Sequence, residues 1–214
     1  FAESIQSSMS IIKDYSSKAL EVINSYVTFE KVVSSTLRLK SDPINVFDYV
    51  RSLVDSLQSR ASEHCITLTF VSKVSTQGES NSLIVNVDKI KLTEAVRHVI
   101  INAIQYTPRF GRVKVYLRRV DGVVGRMKCS RFIIDVEDDG IGISEENQRR
   151  LFKEIGQFRS EGQQHVPGSG LGLYIAYGIM RLHGGSLSVF SKGEGEGSIF
   201  SIEIPVLSLC KTSN

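Results

Sequence analysis

The 214-residue chain is poor in cysteine, in long apolar runs and in charge of one sign. Its three cysteines, Cys65, Cys129 and Cys210, lie far apart and form no CxxC pair. Neither a zinc site nor a disulfide framework is indicated, and a reducing compartment fits. Apolar runs stop at four or five residues, far short of the about 20 that a spanning helix needs. Lys and Arg number 26 against 23 Asp and Glu, a net +3. With no basic cluster interleaved with aromatics, no nucleic-acid partner is expected, and no membrane contact within this chain. Phe1-Ala2-Glu3 is not a signal peptide and reads like the middle of a helix, as if a longer protein had been cut. What is present, 41% hydrophobic and 23% charged residues, is ordinary for a globular protein of one domain plus an attachment.

Residues 3–40 lack Gly and Pro, and Ile5, Met9, Ile12, Ala19, Ile23, Tyr26, Val33 and Leu37 recur at three- and four-residue steps. That stripe predicts one long amphipathic helix, broken at Ser41-Asp42-Pro43. It is either packed on its own domain or one arm of a helical hairpin or dimeric bundle. Asn45 reads as an N-cap for a helix ending near Glu63. Alternation at Ile66–Leu68–Phe70 and Leu83–Val85–Val87 predicts two strands, and Asp88 caps a helix reaching Tyr106. Strands follow at 113–117 and 132–136, separated by a charged hairpin over 118–130. A short helix at 144–155, a Gly/Ser/Gln-rich loop at 156–170, an apolar helix at 171–182 and a terminal hairpin complete the order. This predicts an α+β, two-layer α/β sandwich with helices on one face of a mixed sheet. The expected division is 1–41 as part of a dimerisation helix, 42–207 as the main domain and 208–214 as a frayed tail.

Four segments carry the chemistry: "DKIKLTEAVRHVIINAIQYTP" at 88–108, "VEDDGIGIS" at 136–144, "LFKEIGQF" at 151–158 and "GSGLGLYIA" at 168–176. Asn102 sits on an amphipathic helix whose Leu92, Val96 and Val99 face the sheet. An Asn among Val, Ile and Ala either bonds a neighbouring carbonyl or serves a ligand, and an amide oxygen is a hard donor suited to Mg2+. Asp138 ends an apolar strand before Gly140 and Gly142. Its carboxylate either caps the loop as an Asx-turn or accepts from a ligand amine. Gly168, Gly170 and Gly172 open a helix whose free amides suit an anion, yet no Gly-Lys-Ser/Thr follows, so this is not a Walker loop.

In this order and spacing the segments resemble the N, G1, F and G2 boxes of sensor histidine kinases. The fold of that ATP-binding domain is shared with Hsp90, gyrase B and MutL. The resemblance covers about residues 83–205, and the N-terminal region looks like the second helix of the family's dimerisation hairpin. It implies a Bergerat-type fold that binds ATP and Mg2+ and moves the γ-phosphoryl to a histidine on a separate hairpin. Asn102 would hold Mg2+, and Asp138 the adenine amine, with Ser198 completing that network. Gln105, Tyr106, Gly140, Gly142, Ile143, Phe152, Gly168, Ser169, Gly170, Leu171, Gly172 and Leu173 would line the nucleotide, under a lid at 156–170 in which Arg159 or His165 reaches the γ-phosphate. The implied partners are a response-regulator receiver domain and a second copy of the chain, joined through the N-terminal helix. The implied compartment is the cytoplasm, as a free protein or as part of a membrane-anchored sensor.

The chain departs from the family pattern at three places. His98 stands where members often carry Asn, and where the ATPase branch carries a water-activating Glu; it is a candidate weak base or a structural residue. Gln105 replaces a usual Lys or Arg. The four histidines, His64, His98, His165 and His183, all lie beyond residue 40, and none precedes an acidic residue. The phosphoacceptor is therefore expected on another segment, or the protein lacks one. Two other readings compete with the kinase: a nucleotide-binding regulatory module, and an ATP-hydrolysing machine of the Hsp90/MutL type.

Overall fold

The computed structural model describes residues 2–74, 83–124, 127–151 and 171–206. Helix α1, Ala2–Val33, leads into strand β1, Asp42–Asn45, and helices α2, Val46–Ser56, and α3, Gln58–Glu63. Strands β2, Thr67–Ser72, and β3, Ile84–Val87, precede helix α4, Lys89–Tyr106. Then come β4, Arg112–Val124, β5, Met127–Asp138, α5, Glu145–Arg150, α6, Gly172–Leu182, β6, Ser186–Phe190, and β7, Ser198–Val206. Five strands form one sheet in the order β2-β4-β5-β7-β6, with β2 and β4 parallel and the other pairs antiparallel; β1 and β3 make a separate ribbon. The predicted mixed sheet and its helices are both present.

The helices bury one stripe each against one sheet face. Val50 and Val54 of α2, Leu92, Val96 and Val99 of α4, and Ile175 and Ile179 of α6 pack on Val113, Val115, Phe132, Ile134, Phe200 and Ile202. Each such aliphatic side chain contributes about 1.5–3 kcal/mol when fully buried. Caps fix where the helices begin. The Asn45 Oδ1 accepts from Phe47 N (3.0 Å) and Asp48 N (3.3 Å). The Asp88 Oδ1 accepts from Lys91 N at 3.0 Å while its Oδ2 takes Lys40 N at 2.8 Å. Asp88 thus ties the segment after α1 to the start of α4.

Three local expectations change. Helix α1 stops at Val33 rather than near residue 40. Ser35 enters the left-handed region with φ 54°, and the N–H groups of Ser35 and Thr36 close on the carbonyls of Val32 (3.2 Å) and Lys31 (3.0 Å). That is a Schellman stop with Ser in place of Gly, helped by the Ser34 hydroxyl donating back to Glu30 O at 2.7 Å. Residues 42–45 form a strand despite Pro43, because they pair on one side only, with β3. The charged hairpin expected at 118–130 is present, but the strands expected to end at 117 and resume at 132 run on through it, paired from Arg118↔Ile133 out to Val124↔Met127. Its charges pair across the sheet surface, as in Arg118 with Asp135 at 2.6 Å.

The last turns of α1 lie against α4 and α6. Phe29 meets the Tyr174 ring edge-on at 5.4 Å. Glu21 pairs with Arg97 at 2.8 Å, and Lys91 Nζ donates to the buried Thr28 Oγ1 at 3.2 Å. At the closest point, a Cβ on Gly178 would collide with Val32 Cγ1. Replacing a mid-helix Gly by Ala ordinarily stabilises by about 1 kcal/mol. Here overpacking opposes that gain by about 1–3 kcal/mol. Gly178→Ala is therefore expected to lower the melting temperature and speed amide exchange in residues 19–33, and Val32→Ala in the same chain is expected to reverse both. Unchanged exchange in α1 would show that the contact does not hold the helix.

Candidate nucleotide site

One cavity of about 410 Å³ opens between α4, the loop after β5, α5, the first turn of α6 and the β6–β7 hairpin. Its walls bring together Asn102 and Tyr106 of α4, Asp138 at the end of β5, Gly142 and Ile143 of the following loop, Leu173 of α6 and Ser198 of β7. These seven were expected from the sequence.

Asp138 is 7% exposed. Its Oδ1 accepts from Gly140 N at 3.0 Å and its Oδ2 from Ser198 Oγ at 2.6 Å. Burial pushes this carboxyl above its ordinary range, and the bonds from Ser198 and Gly140 only partly offset the desolvation. No cation pairs with it among the described residues. The carboxylate therefore forms an Asx-type turn with Gly140 and retains acceptor capacity at the cavity wall. The neighbouring Asp139 turns outward instead, accepting from Arg112 N (2.6 Å) and pairing with its guanidinium (3.2 Å).

The loop 139–143 can follow the cavity wall only with glycine at two places. A Cβ on Gly140 would stand 2.6 Å from both Asp138 Oδ1 and the Tyr106 carbonyl oxygen. Gly142 has φ +69°, and a Cβ there would strike Gly193 O of the facing hairpin. The loop is stitched to that hairpin by Gly195 N to Ile141 O (2.7 Å) and Gly197 N to Gly140 O (3.1 Å), and to α4 by Ile141 N to Tyr106 O (3.1 Å).

Asn102 is half-buried, and its carboxamide makes no hydrogen bond to any described residue. The alternative of a neighbouring carbonyl partner thus finds no support among those residues. No group of three or more His, Cys, Asp or Glu is placed to hold a metal among them either. A lone amide oxygen beside a cavity suits Mg2+, which keeps its waters and rides on phosphates. Burial raises the Tyr106 phenol, leaving it a neutral group at the wall.

Other expected residues stand apart from the cavity lining. Gln105 is exposed on α4. His98 lies against the start of α6, where a Cβ on Gly172 would be 2.9 Å from its Nδ1. Burial lowers the His98 pKa and Arg97 adds to this, opposed by Glu94 and Glu21, so the ring is neutral near pH 7. Leu171 is the residue before α6, which begins with no side-chain cap on its first-turn amides. Phe152, Gly168, Ser169 and Gly170, and the expected lid with Arg159 and His165, lie outside the described residues.

Sequence reasoning missed Ile141, Ser144, Asn147, Leu151, Glu194 and Phe200, which also line the cavity. Phe200 was legible only as an alternating core residue. Glu194 sits in a glycine-rich turn and reaches the site because the hairpin folds back onto Gly142, a pairing between distant segments.

The sequence profile described as "Histidine kinase-, DNA gyrase B-, and HSP90-like ATPase" matches residues 87–208. Histidine kinase P4 of Formosa agariphila is 29% identical over 202 residues, spanning 92% of this chain and 13% of that protein. The chain spans about a third or less of the curated relatives it first matches. The structure of full-length ShkA in complex with AMPPNP superposes with TM-score 0.69 at 20% identity, covering 93% of this chain and 38% of that one. That of histidine kinase ThkA in complex with the response regulator protein TrrA gives 0.60 at 18%, covering 87% and 48%. The buried carboxylate, the glycine loop and the matched profile converge: the chain belongs to the histidine kinase-, DNA gyrase B- and HSP90-like ATPase family, and the relatives it resembles are histidine kinases.

Proposed function

We propose that this chain binds Mg-ATP in the 410 Å³ cavity and presents the γ-phosphoryl to a histidine carried on a separate helical hairpin, in two-component or phosphorelay signalling. The observation that carries the reading is Asp138, a buried carboxylate without a cation among the described residues, held by Gly140 and Ser198 at the wall that Asn102 also lines. A buried carboxylate is costly unless something donates to its remaining lone pairs, and the exocyclic amine of adenine carries two N–H donors. Ser198 spends its hydroxyl proton on Asp138 and so fixes the carboxylate's orientation. Asn102 would hold Mg2+ by its amide oxygen, and the ion would supply charge neutralisation at the phosphates. Gly172 and Leu173 direct backbone amides at the phosphates from the start of α6, and Gly168, Ser169 and Gly170 precede them in sequence. The protein's part in the transfer is positioning and charge neutralisation. His98, neutral and wedged against Gly172, serves the site by shaping the α6 N-terminus rather than by touching the nucleotide.

The histidine is supplied by another segment because none of the chain's own lies in its first 63 residues. Helix α1, Ala2–Val33, serves as part of the dimerisation helix. The exposed Met9, Ile12, Leu20 and Ile23 of α1 are an apolar surface fitted to the hairpin's other helix and a second copy. A response-regulator receiver domain then takes the phosphoryl group, in the cytoplasm where ATP is held. Calorimetric titration with a non-hydrolysable ATP analogue tests the binding half. Saturable one-to-one binding that tightens on adding Mg2+ is expected. Absence of heat and of any competition by adenosine would defeat the proposal.

A further inference from the structure

We infer that Gln148 and Ser191, neither of which lines the cavity, act together as a clip that positions the base-side wall of the nucleotide site. The inference rests on the nucleotide reading above.

Gln148 sits on α5, a six-residue helix held by the Ser144 cap (Asn147 N to Ser144 Oγ, 3.3 Å) and by the pairs Arg149 with Glu145 and Arg150 with Glu146. Its side-chain amide leaves the helix and meets two other segments. Nε2 donates to Ile143 O at 2.8 Å and to Ser191 O at 2.9 Å, and Oε1 accepts from Ser191 N at 3.0 Å. The two bonds to Ser191 reproduce the pairing that a neighbouring strand would offer at the end of β6. The third bond ties that same amide to the loop after β5. Ser191, 8% exposed, then closes the clip from the hairpin side. Its Oγ accepts from Ile143 N (3.1 Å) and Gly193 N (3.2 Å) and donates to Gly197 O (2.6 Å). Both backbone polar groups of Ile143 are thereby fixed, one by Gln148 and one by Ser191. Ile143 and Gly142 line the cavity, as does Glu194 from the far side of the hairpin.

Only a carboxamide can make this set. A carboxylate at 148 would still accept from Ser191 N but would face the carbonyls of Ser191 and Ile143 with its own charge. A leucine would leave two carbonyls and one N–H in a half-buried place without a partner. Releasing Ile143 moves the wall against which a purine lies, whereas Asn102 and the start of α6 are held by other elements. The clip therefore governs affinity for the base and not the contribution of the metal.

The test uses the full chain with adenosine and ADP as probes, each titrated with and without Mg2+, and with thermal melts alongside. Gln148→Leu is expected to weaken adenosine and Mg-ADP by the same factor, about tenfold, with the ratio of ADP affinities with and without Mg2+ unchanged. Gln148→Glu is expected to bind as weakly at neutral pH and to recover part of the loss in mildly acid buffer, where a protonated carboxyl regains a donor; Gln148→Leu run in the same buffers corrects for the site's own titration. Ser191→Ala, which keeps the backbone bonds to Gln148, is expected to lie between Gln148→Leu and wild type. It keeps the inference testable if Gln148→Leu does not fold. Wild-type affinity in folded Gln148→Leu or Ser191→Ala overturns the clip, and so does a loss confined to the Mg2+-dependent part. Wild-type protein that binds neither adenosine nor Mg-ADP overturns the nucleotide reading itself and takes the clip with it.

Discussion

Asp138→Asn is expected to lose most of the affinity for the adenine base while gaining stability. Gly140 N donates to one carboxylate oxygen, which the asparagine carbonyl must replace. That choice turns the new NH2 toward Ser198 and toward the adenine amine, donor against donor. Loss of a hydrogen bond to a charged acceptor costs about 1.5–3 kcal/mol, roughly 10- to 150-fold in affinity. Ser198 can rotate its hydroxyl to accept from the new NH2, so the fold has no reason to suffer. It has reason to gain, because burial raises the Asp138 pKa in the folded protein. A raised carboxyl pKa means that ionisation opposes folding. The penalty is present above the folded-state pKa and vanishes as pH falls below the unfolded value. The melting temperature of Asp138→Asn should therefore exceed that of wild type at neutral pH, by a margin that shrinks as the buffer is acidified. Calorimetry and melts on the same samples read both effects. Wild-type affinity for adenosine would refute the assignment of Asp138, and a margin that widens in acid would refute its electrostatic basis.

Asn102→Ala separates the metal from the base. The side chain is half-buried without a described hydrogen-bond partner, so removing it breaks no internal bond and leaves the Val96–Val99 stripe of α4 packed. Adenosine affinity should stay within about twofold, while the gain that Mg2+ gives to ADP or an ATP analogue should fall about tenfold or more. Equal weakening of adenosine and Mg-ATP would mark Asn102 as a structural residue.

The division between what was legible and what was not follows the range of the interactions. Asp138, Gly140 and Gly142 are contiguous, and Asp88 to Tyr106 is one helix with its cap at one end, so local pattern was enough for them. Ser198 was reachable only through resemblance, since its bond to Asp138 spans 60 positions. Strand β1 was hidden by Pro43, which a one-sided ribbon tolerates. The hairpin at 118–130 was legible, but the length of its strands was not, because its charges pair across strands that local alternation does not show as neighbours. The end of α1 was overshot because Ser rarely takes the left-handed position that Ser35 occupies. Gln148 gave no signal at all, because its three partners lie on two segments, one of them 43 residues away.

Phosphoryl transfer itself is the most direct test of the kinase reading. The chain is incubated with γ-labelled Mg-ATP, alone and with a two-helix hairpin bearing a His followed by Glu or Asp. An imidazole must be held about 3–3.5 Å from the γ-phosphorus and in line with the leaving oxygen. Of the chain's own histidines, His98 is wedged beside α6, and His183 is held at the far end of that helix by Ile179 O (2.9 Å) and Asp88 N (3.0 Å). The account predicts acid-labile, base-stable label on the hairpin histidine only. Such label on His64, His98, His165 or His183 of the chain alone, or steady release of phosphate with no phosphohistidine when the hairpin is present, would contradict it.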